Sequence, residues 1–134
     1  QSPGLTAAPA IAEYVRDIIK KSLELKLTSN YIKTRKAIPK FRDLDQKKRN
    51  QLIKTNPDYG KIICRCEKIT KAEIIEAIKR GATTLDGIKF RTRSQQGRCH
   101  GAFCTMKIIE ILHREQKIPY EEITKRGLYS EVFN

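Results

Sequence analysis

The chain has 134 residues, a length that suits one modest domain or a small domain with an appendage. It carries 28 lysines and arginines against 15 aspartates and glutamates, a formal net charge of +13. No apolar run approaches the ~20 residues of a membrane span, and no signal-peptide pattern occurs. These features favour a soluble cytoplasmic protein, with membrane association left open only through a partner. Because the chain begins at Gln1, we expect a fragment or a processed product.

The positive charge is concentrated in two segments. Residues 26–54 include ten basic and two acidic residues, a net charge of +8, and residues 89–98 include four basic residues and no acidic one. A basic stripe can bind nucleic acid or an acidic partner. Aromatic residues make up only 7% of the chain, tryptophan is absent and no nucleic-acid motif is apparent. A solvated face, or one that docks an acidic partner, is therefore favoured over a nucleic-acid site.

The first 22 residues or so predict a loop that becomes a helix. Thr6 is a suitable N-cap because its hydroxyl can accept from a free backbone N–H, and Pro9 then falls in the first turn. Four apolar side chains share one face at helical spacing: Ile11, Val15, Ile18 and Ile19. That face needs a partner to cover it.

From about Leu25 to Tyr59 the helical periodicity weakens, and two prolines interrupt it. One short helix is predicted from Leu44 to Lys54, with Asp43 as its cap. We interpret this stretch as a linker that partly packs. The chain is accordingly divided into residues 1–24, a linker at 25–58 and a C-terminal domain at 59–134.

Clear helix signals begin after the linker. Thr70 and Glu73 form a T-x-x-E capping box, which predicts a helix that runs to Arg80 and ends at Gly81.

Further helices are predicted towards the C-terminus. Thr83 or Thr84 caps a second helix, and a third runs from about residue 103 to 116. Pro119 suits the first position of a last short helix. The third helix turns four apolar residues inward: Ile108, Ile109, Ile111 and Leu112. No strand alternation is evident, so the predicted fold class is mainly α, a small domain of short helices.

The four cysteines fall in one window of 41 residues, spaced C-x-C, then 32 residues, then C-x4-C: Cys64, Cys66, Cys99 and Cys104. Four soft thiolates suit an iron–sulfur cluster or zinc. Disulfides are disfavoured because the context looks cytosolic. A C-x-C pair is short for a tetrahedral zinc site, though not excluded. A [2Fe-2S] cluster distributes its ligands over two irons, so one short and one long pair are natural. The cysteines alone leave iron–sulfur and zinc both open.

The residues around the cysteines favour the cluster. A cluster with four thiolate ligands is negatively charged, and Cys104 lies near the first turn of a helix, where free N–H groups favour negative charge. The neighbouring glycines allow backbone N–H groups to approach the sulfurs, the arginines can offset charge, and the aromatic ring can exclude water. These neighbours are Arg65, Arg93, Gly97, Arg98, Gly101 and Phe103. Each arginine alone is as readily interpreted as a solvated charge.

Two histidines are also present near these segments. His100 lies between the late cysteines, but four cysteines already complete a ligand set, so we expect it to be exposed or to support the ligands. His113, on the long helix, is expected to be structural.

Two segments carry a resemblance to the bacterioferritin-associated ferredoxin-like (BFD-like) [2Fe-2S] domain. They are IICRCEKITKAEI at residues 62–74 and GRCHGAFC at residues 97–104. The resemblance covers about residues 59–124. It implies that Cys64, Cys66, Cys99 and Cys104 are the cluster ligands, and that short helices surround the cluster.

A second resemblance lies at the start of the chain. The segment SPGLTAAPAIAEY, residues 2–14, is similar to the end of the FAD-binding domain of amine- and glycerol-phosphate-type flavin oxidoreductases. It implies that Gly4, Leu5, Thr6 and Ala7 face the flavin in a parent protein. Without the resemblance, an ordinary capped helix is the default interpretation. The order of the two segments resembles that of glycerol-3-phosphate dehydrogenase-like proteins.

The two resemblances together imply an electron-transfer module of an FAD-dependent dehydrogenase. The fragment itself would not be catalytic, and its partners would be a missing N-terminal FAD domain and an acceptor subunit or quinone. The alternative is a binding module, stabilised by zinc or a cluster, that holds a partner subunit or nucleic acid. Because thiolates bind zinc well, we also expect zinc to replace iron in some overexpressed preparations.

Overall fold

The computed structural model describes residues 3–133, so Ser2 of the flavin-type resemblance lies outside the described residues. Contacts divide the chain into two units, Gln1–Lys36 and Ala37–Asn134. The first unit contains helix α1 (Gly4–Ile19), and the second contains the other helices and both strands of the described chain.

Helix α1 starts earlier than predicted. Pro3 occupies the N-cap position and makes no side-chain cap, so Thr6 lies inside the helix and the expected Thr6 cap is wrong. Pro9 lies in the helix interior rather than in the first turn. The predicted apolar face exists, but its residues are 39–55% exposed: Ile11, Val15, Ile18 and Ile19. No residue of α1 is buried.

The second unit begins with three short helical segments. A 3-10 turn (Phe41–Asp43) is followed by α2 (Gln46–Thr55) and another 3-10 turn (Pro57–Gly60). The carboxylate of Asp45, rather than that of Asp43, caps α2 by accepting from the Lys48 N–H at 2.8 Å. Asp43 cannot cap α2 because it is already part of the preceding turn.

A two-stranded antiparallel hairpin carries the first cysteine. Strand β1 (Ile62–Cys64) pairs with β2 (Ile69–Thr70), and the register is irregular between Ile62 and Cys64. Strands of two and three residues are too short to show alternation, so the sequence pattern does not reveal them.

Three helices complete the frame of the second unit: α3 (Lys71–Lys79), α4 (Leu85–Thr92) and α5 (Thr105–Gln116). The predicted capping box is confirmed, since the Thr70 hydroxyl accepts from the Glu73 N–H and the Glu73 carboxylate accepts from the Thr70 N–H.

The other predicted helix ends are confirmed with one adjustment. Gly81 follows α3 with φ +88°, and Thr84 caps α4. Pro119 precedes, rather than begins, a last 3-10 turn (Tyr120–Glu122).

The core of the second unit lies where α3 packs on α4 and α5. It is built mainly of isoleucines and includes two of the four cysteines. Its largest fully buried apolar side chains are Ile69, Ile74, Ile88, Ile108, Ile109, Leu112 and Ile123. All four inward positions predicted on α5 are buried, and the mainly α class is confirmed. None of the helices in the described part of the chain combines the length and apolar character needed to cross a bilayer.

Candidate metal centre

The four cysteines come together from two loops at one end of the core. Cys64 ends β1, and Cys66 lies in the turn that follows. Cys99 lies in the loop before α5, and Cys104 is the N-cap residue of α5. Cys64 and Cys104 are each 1% exposed, whereas Cys66 is exposed and Cys99 is half-buried.

The thiols form two pairs. Cys66 Sγ and Cys99 Sγ are 3.5 Å apart at the surface, and we call them the outer pair. The buried thiols of Cys64 and Cys104 interact with each other and form the inner pair. Each sequence motif therefore contributes one thiol to each pair.

In the outer pair, several hydrogen-bond donors surround the Cys99 sulfur. The hydrogen bond from the Cys66 thiol, followed by those from the backbone N–H groups of Gly101 and Phe103, lowers the pKa of Cys99 below its ordinary value. These contacts favour the thiolate, the form of cysteine that binds metal.

The inner pair has the opposite electrostatic environment. Burial, followed by the charge of Cys64, raises the pKa of Cys104 to about 11, although the Gln95 backbone N–H partly offsets this by hydrogen bonding to the sulfur. A metal ligand must be deprotonated, so ligation at the inner pair displaces a tightly held proton.

Gly97 allows the two loops to approach each other closely. A Cβ at position 97 would lie 2.3 Å from the Cys66 Cβ and 3.5 Å from its Sγ. Any side chain at this position would push the loops apart, so the close approach depends on glycine. Together with four converging thiols, this cradle fits a thiolate-ligated cluster.

The arrangement of the four thiols is compatible with two metal positions. Among the described residues, no three or more His, Cys, Asp or Glu side chains form a group suited to a metal ion. A structural zinc ion needs four ligands around one centre, whereas each iron of a [2Fe-2S] cluster takes two protein ligands. Two thiol pairs are compatible with the second requirement, and no observation supports the expected zinc substitution.

Comparison with known proteins agrees with this geometry. The family description of the BFD-like [2Fe-2S] binding domain matches residues 62–114, a range that includes both thiol pairs. Residues 62–114 of the chain are thus similar to a BFD-like [2Fe-2S] binding domain. No solved structure gives a significant match.

The relatives of the chain include dehydrogenase and oxidase proteins. The chain is 49% identical over 130 residues to a glycerol 3-phosphate dehydrogenase of Caloramator mitchellensis. The matched region covers 93% of this chain and 27% of the relative. A subunit of the anaerobic glycerol-3-phosphate dehydrogenase of Haloferax volcanii is 32% identical, over 57% of this chain and 12% of its own length. An opine oxidase subunit of Rhizobium meliloti is 32% identical, over 60% of this chain and 15% of its own length. The chain thus spans about a quarter, or less, of these relatives.

The charged residues around the BFD-like site have distinct positions. Arg65 and Arg98 are exposed. Glu67, directly after Cys66, accepts from Arg42 at 2.6 Å and from Arg93 at 3.1 Å. The hydrogen bond from Arg93, opposed by desolvation and reinforced by Arg42, lowers the pKa of Glu67. This carboxylate ties the 3-10 turn before α2 and the end of α4 to the outer pair.

The pairing of Glu67 with two arginines was not anticipated from the sequence. Its partners lie 25 and 26 residues away, and the only signal in the sequence is an acidic residue directly after Cys66.

The remaining candidate residues near the BFD-like site lie mostly at the surface. Phe103 is 78% exposed, so its ring is not placed to keep water from the thiols. His100 is exposed, with φ +49°. His113 has a structural position, because its Nδ1–H donates to the Ile118 carbonyl and its ring stacks on Tyr120 with centroids 4.2 Å apart.

The candidate flavin-facing residues occupy the first turn of α1. Gly4, Leu5, Thr6 and Ala7 begin this helix, and Leu5 is 93% exposed. The first N–H groups of a helix have no partner within it, so this end can stabilise negative charge.

Proposed function

We propose that residues 59–134 form the [2Fe-2S] electron-transfer module of an FAD-dependent dehydrogenase. The observation that carries this proposal is the convergence of four thiols as two pairs within a region similar to a BFD-like domain. Cys64, Cys66, Cys99 and Cys104 would hold the cluster, which would supply one-electron chemistry when bound.

The chain's own residues would perform three tasks at this site. The four thiolates bind the metal. The backbone N–H groups of Gly101 and Gln95 donate to the Cys99 and Cys104 sulfurs and stabilise their negative charge. The buried inner pair keeps one side of the site away from water, and the exposed outer pair leaves the other side open to a partner.

For the parent protein, we infer a glycerol-3-phosphate dehydrogenase-like oxidoreductase that passes electrons from reduced FAD to a quinone or protein acceptor. Support comes from the relatives with that name and from the helix start at Gly4–Ala7, whose N–H groups would stabilise charge on a reduced flavin.

The same proposal covers the division of the chain and its location. Residues 1–24 would end the FAD domain, 25–58 would link it to the cluster domain at 59–134, and the missing FAD domain would be the main partner. We place the protein in the cytoplasm, where thiols stay reduced, with any membrane association made through a partner.

The cluster is tested on the 134-residue chain purified and reconstituted without oxygen. We expect about two irons and two sulfides per chain, visible absorption bands, and an electron paramagnetic resonance signal after reduction, as for thiolate-ligated [2Fe-2S] centres. Four zinc-bound thiols with no iron uptake would refute the proposal and favour the binding-module alternative.

The direction of electron flow is tested in the full-length parent. Cys99→Ser should leave substrate-driven bleaching of the flavin nearly intact and should strongly slow its reoxidation by the acceptor. If the variant instead loses flavin reduction, the site braces the flavin domain and the electron-transfer proposal fails.

A further inference from the structure

Two side chains outside the ligand set connect the segments that carry the late cysteines. The Gln95 Nε2–H donates to Thr105 Oγ1 at 2.8 Å, and the Thr105 hydroxyl donates to the Gly101 carbonyl at 2.7 Å. The Thr105 hydroxyl thus donates to one of these residues and accepts from the other. We call this chain of two hydrogen bonds the Gln95–Thr105 lock.

Both ends of the lock belong to residues whose backbone contacts a ligand sulfur. The Gly101 N–H donates to Cys99, in the outer pair. The Gln95 N–H donates to Cys104, in the inner pair. The lock therefore joins the backbone donors of two thiols that lie in different pairs.

The backbone at Gln95 adopts an uncommon conformation, and Gly101 adopts one that favours glycine. Gln95 has φ +64°, which is unfavourable for a residue with a side chain, and Gly101 has φ +91°. A Cβ at position 101 would lie 2.7 Å from Thr105 Oγ1, so the hydroxyl packs directly against the Gly101 backbone. Such a conformation at Gln95 persists only where neighbouring contacts hold it, and the lock supplies one of them. At Gly101 the lock adds to the backbone hydrogen bonds that the carbonyl accepts from the Cys104 and Thr105 N–H groups.

We propose that Gln95 and Thr105 are positioning residues for the metal centre, which act by holding the Gln95 and Gly101 N–H groups against the Cys104 and Cys99 sulfurs. The inference rests on the proposed function in one respect, that these sulfurs hold a cluster. Hydrogen bonds to cluster sulfurs favour the more negative, reduced state, so the lock raises the reduction potential.

Thr105→Val removes the hydroxyl at nearly constant volume, and Thr105→Ser keeps it. Thr55 provides a matched control, because its hydroxyl also donates to the carbonyl four residues earlier, that of Gln51 at 3.0 Å, in an exposed helix. Thr55→Val removes the same kind of hydrogen bond from a position on α2.

The first measurement uses the metal-free chain and follows hydrogen exchange of the Gln95 and Gly101 amides by NMR. We expect exchange to become about fivefold faster in Thr105→Val, which corresponds to the loss of one hydrogen bond of about 1 kcal/mol. Thr105→Ser should stay within about twofold of the wild type, and Thr55→Val should change neither amide. Unchanged exchange in Thr105→Val overturns the lock, whether or not the chain binds iron.

The second measurement uses the reconstituted chain and determines its midpoint potential by redox titration. We expect Thr105→Val to lower the equilibrium constant for cluster reduction about tenfold, which is a fall of ~59 mV in the midpoint potential for one electron. Thr105→Ser should keep the wild-type potential. An unchanged potential together with normal iron content would overturn the tuning role. A wild-type chain that takes up no iron would refute the cluster and its tuning, while the exchange result would still decide the lock.

Discussion

The outer and inner thiol pairs differ in burial and in the protonation state that their surroundings favour. Cys66 and Cys99 lie at the surface, and hydrogen bonds favour the Cys99 thiolate. Cys64 and Cys104 belong to the hydrophobic core, where burial favours the Cys104 thiol. The inner pair thus belongs to the hydrophobic core as well as to the candidate ligand set, whereas the outer pair consists of one exposed and one half-buried thiol.

The comparison also shows how the site is assembled. Because C-x-C and C-x4-C each place one thiol in the core and one at the surface, neither motif forms a complete pair alone. The two loops must come together first, and Gly97 allows that contact. Metal binding and folding should therefore be coupled.

The largest expected difference is in thiol reactivity. In the metal-free, reduced chain at about pH 8, the outer cysteines should react with iodoacetamide about a hundredfold faster than the inner ones, because burial blocks access and a pKa near 11 leaves little Cys104 thiolate. Mass spectrometry of peptides over time gives the rates. Similar rates for Cys99 and Cys104 would mean that the inner pair is not held in the core in solution.

Gly97→Ala tests the contact between the two loops. The added Cβ would lie 2.3 Å from the Cys66 Cβ, an atom that cannot rotate away, so we expect a loss of about 1–3 kcal/mol in the free energy of unfolding. Urea denaturation measures this value, and iron retention should fall with it. Gly60→Ala is the control, because its Cβ would meet Ile53 at an ordinary 3.6 Å. Equal stability for both variants would contradict the close approach.

The pH dependence of stability tests the burial of Glu73, whose carboxylate belongs to the capping box of α3. Burial, opposed by hydrogen bonds from Thr70 and Phe41 and by the charge of Arg42, raises the pKa of Glu73 above its ordinary 4.5. The folded state then holds this proton more tightly than the unfolded state does. The resulting stabilisation is present below about pH 4.5 and is lost as the pH rises through the folded pKa.

Glu73→Gln removes this contribution to the pH dependence. As the pH rises through the same window, the free energy of unfolding of the variant should fall less steeply than that of the wild type. The two slopes should differ by up to about 1.4 kcal/mol per pH unit. Urea titrations at several pH values give the slopes. The lowered pKa values of Asp58 and Glu67 act in the opposite direction in both proteins, so the difference isolates Glu73. Parallel curves would show that Glu73 is not buried as a proton-binding group.

Arg98→Gln should have the smallest effect. A buried arginine beside the cluster would shift its potential strongly, but Arg98 is exposed, and in water-like surroundings one charge at roughly 8 Å contributes about 0.5 kcal/mol. We expect the potential to fall by about 20 mV, and by less in high salt. A shift above about 60 mV would place the side chain against the outer pair rather than in solvent.

Local patterns predicted much of the frame from the sequence. The Thr70–Glu73 capping box, the Gly81 helix end, the Thr84 cap and the buried face of α5 all depend on residues within a few positions of one another. Two predicted caps, Thr6 and Asp43, were wrong. Asp43 and Asp45 are both good cap residues, and the 3-10 turn that includes Asp43 leaves Asp45 to cap α2.

The sequence by itself determined which four cysteines form the candidate ligand set and which helices surround them, because spacing, capping and hydrophobic period are local properties. Only the tertiary structure decided how the thiols pair, which pair is buried, and that Glu67 and the Gln95–Thr105 lock support them. The thiol pairing and the Glu67 ion pairs join residues 25 or more positions apart, and the lock spans ten. Such contacts exist only after the loops have packed on a common core, so no local pattern in the chain encodes them.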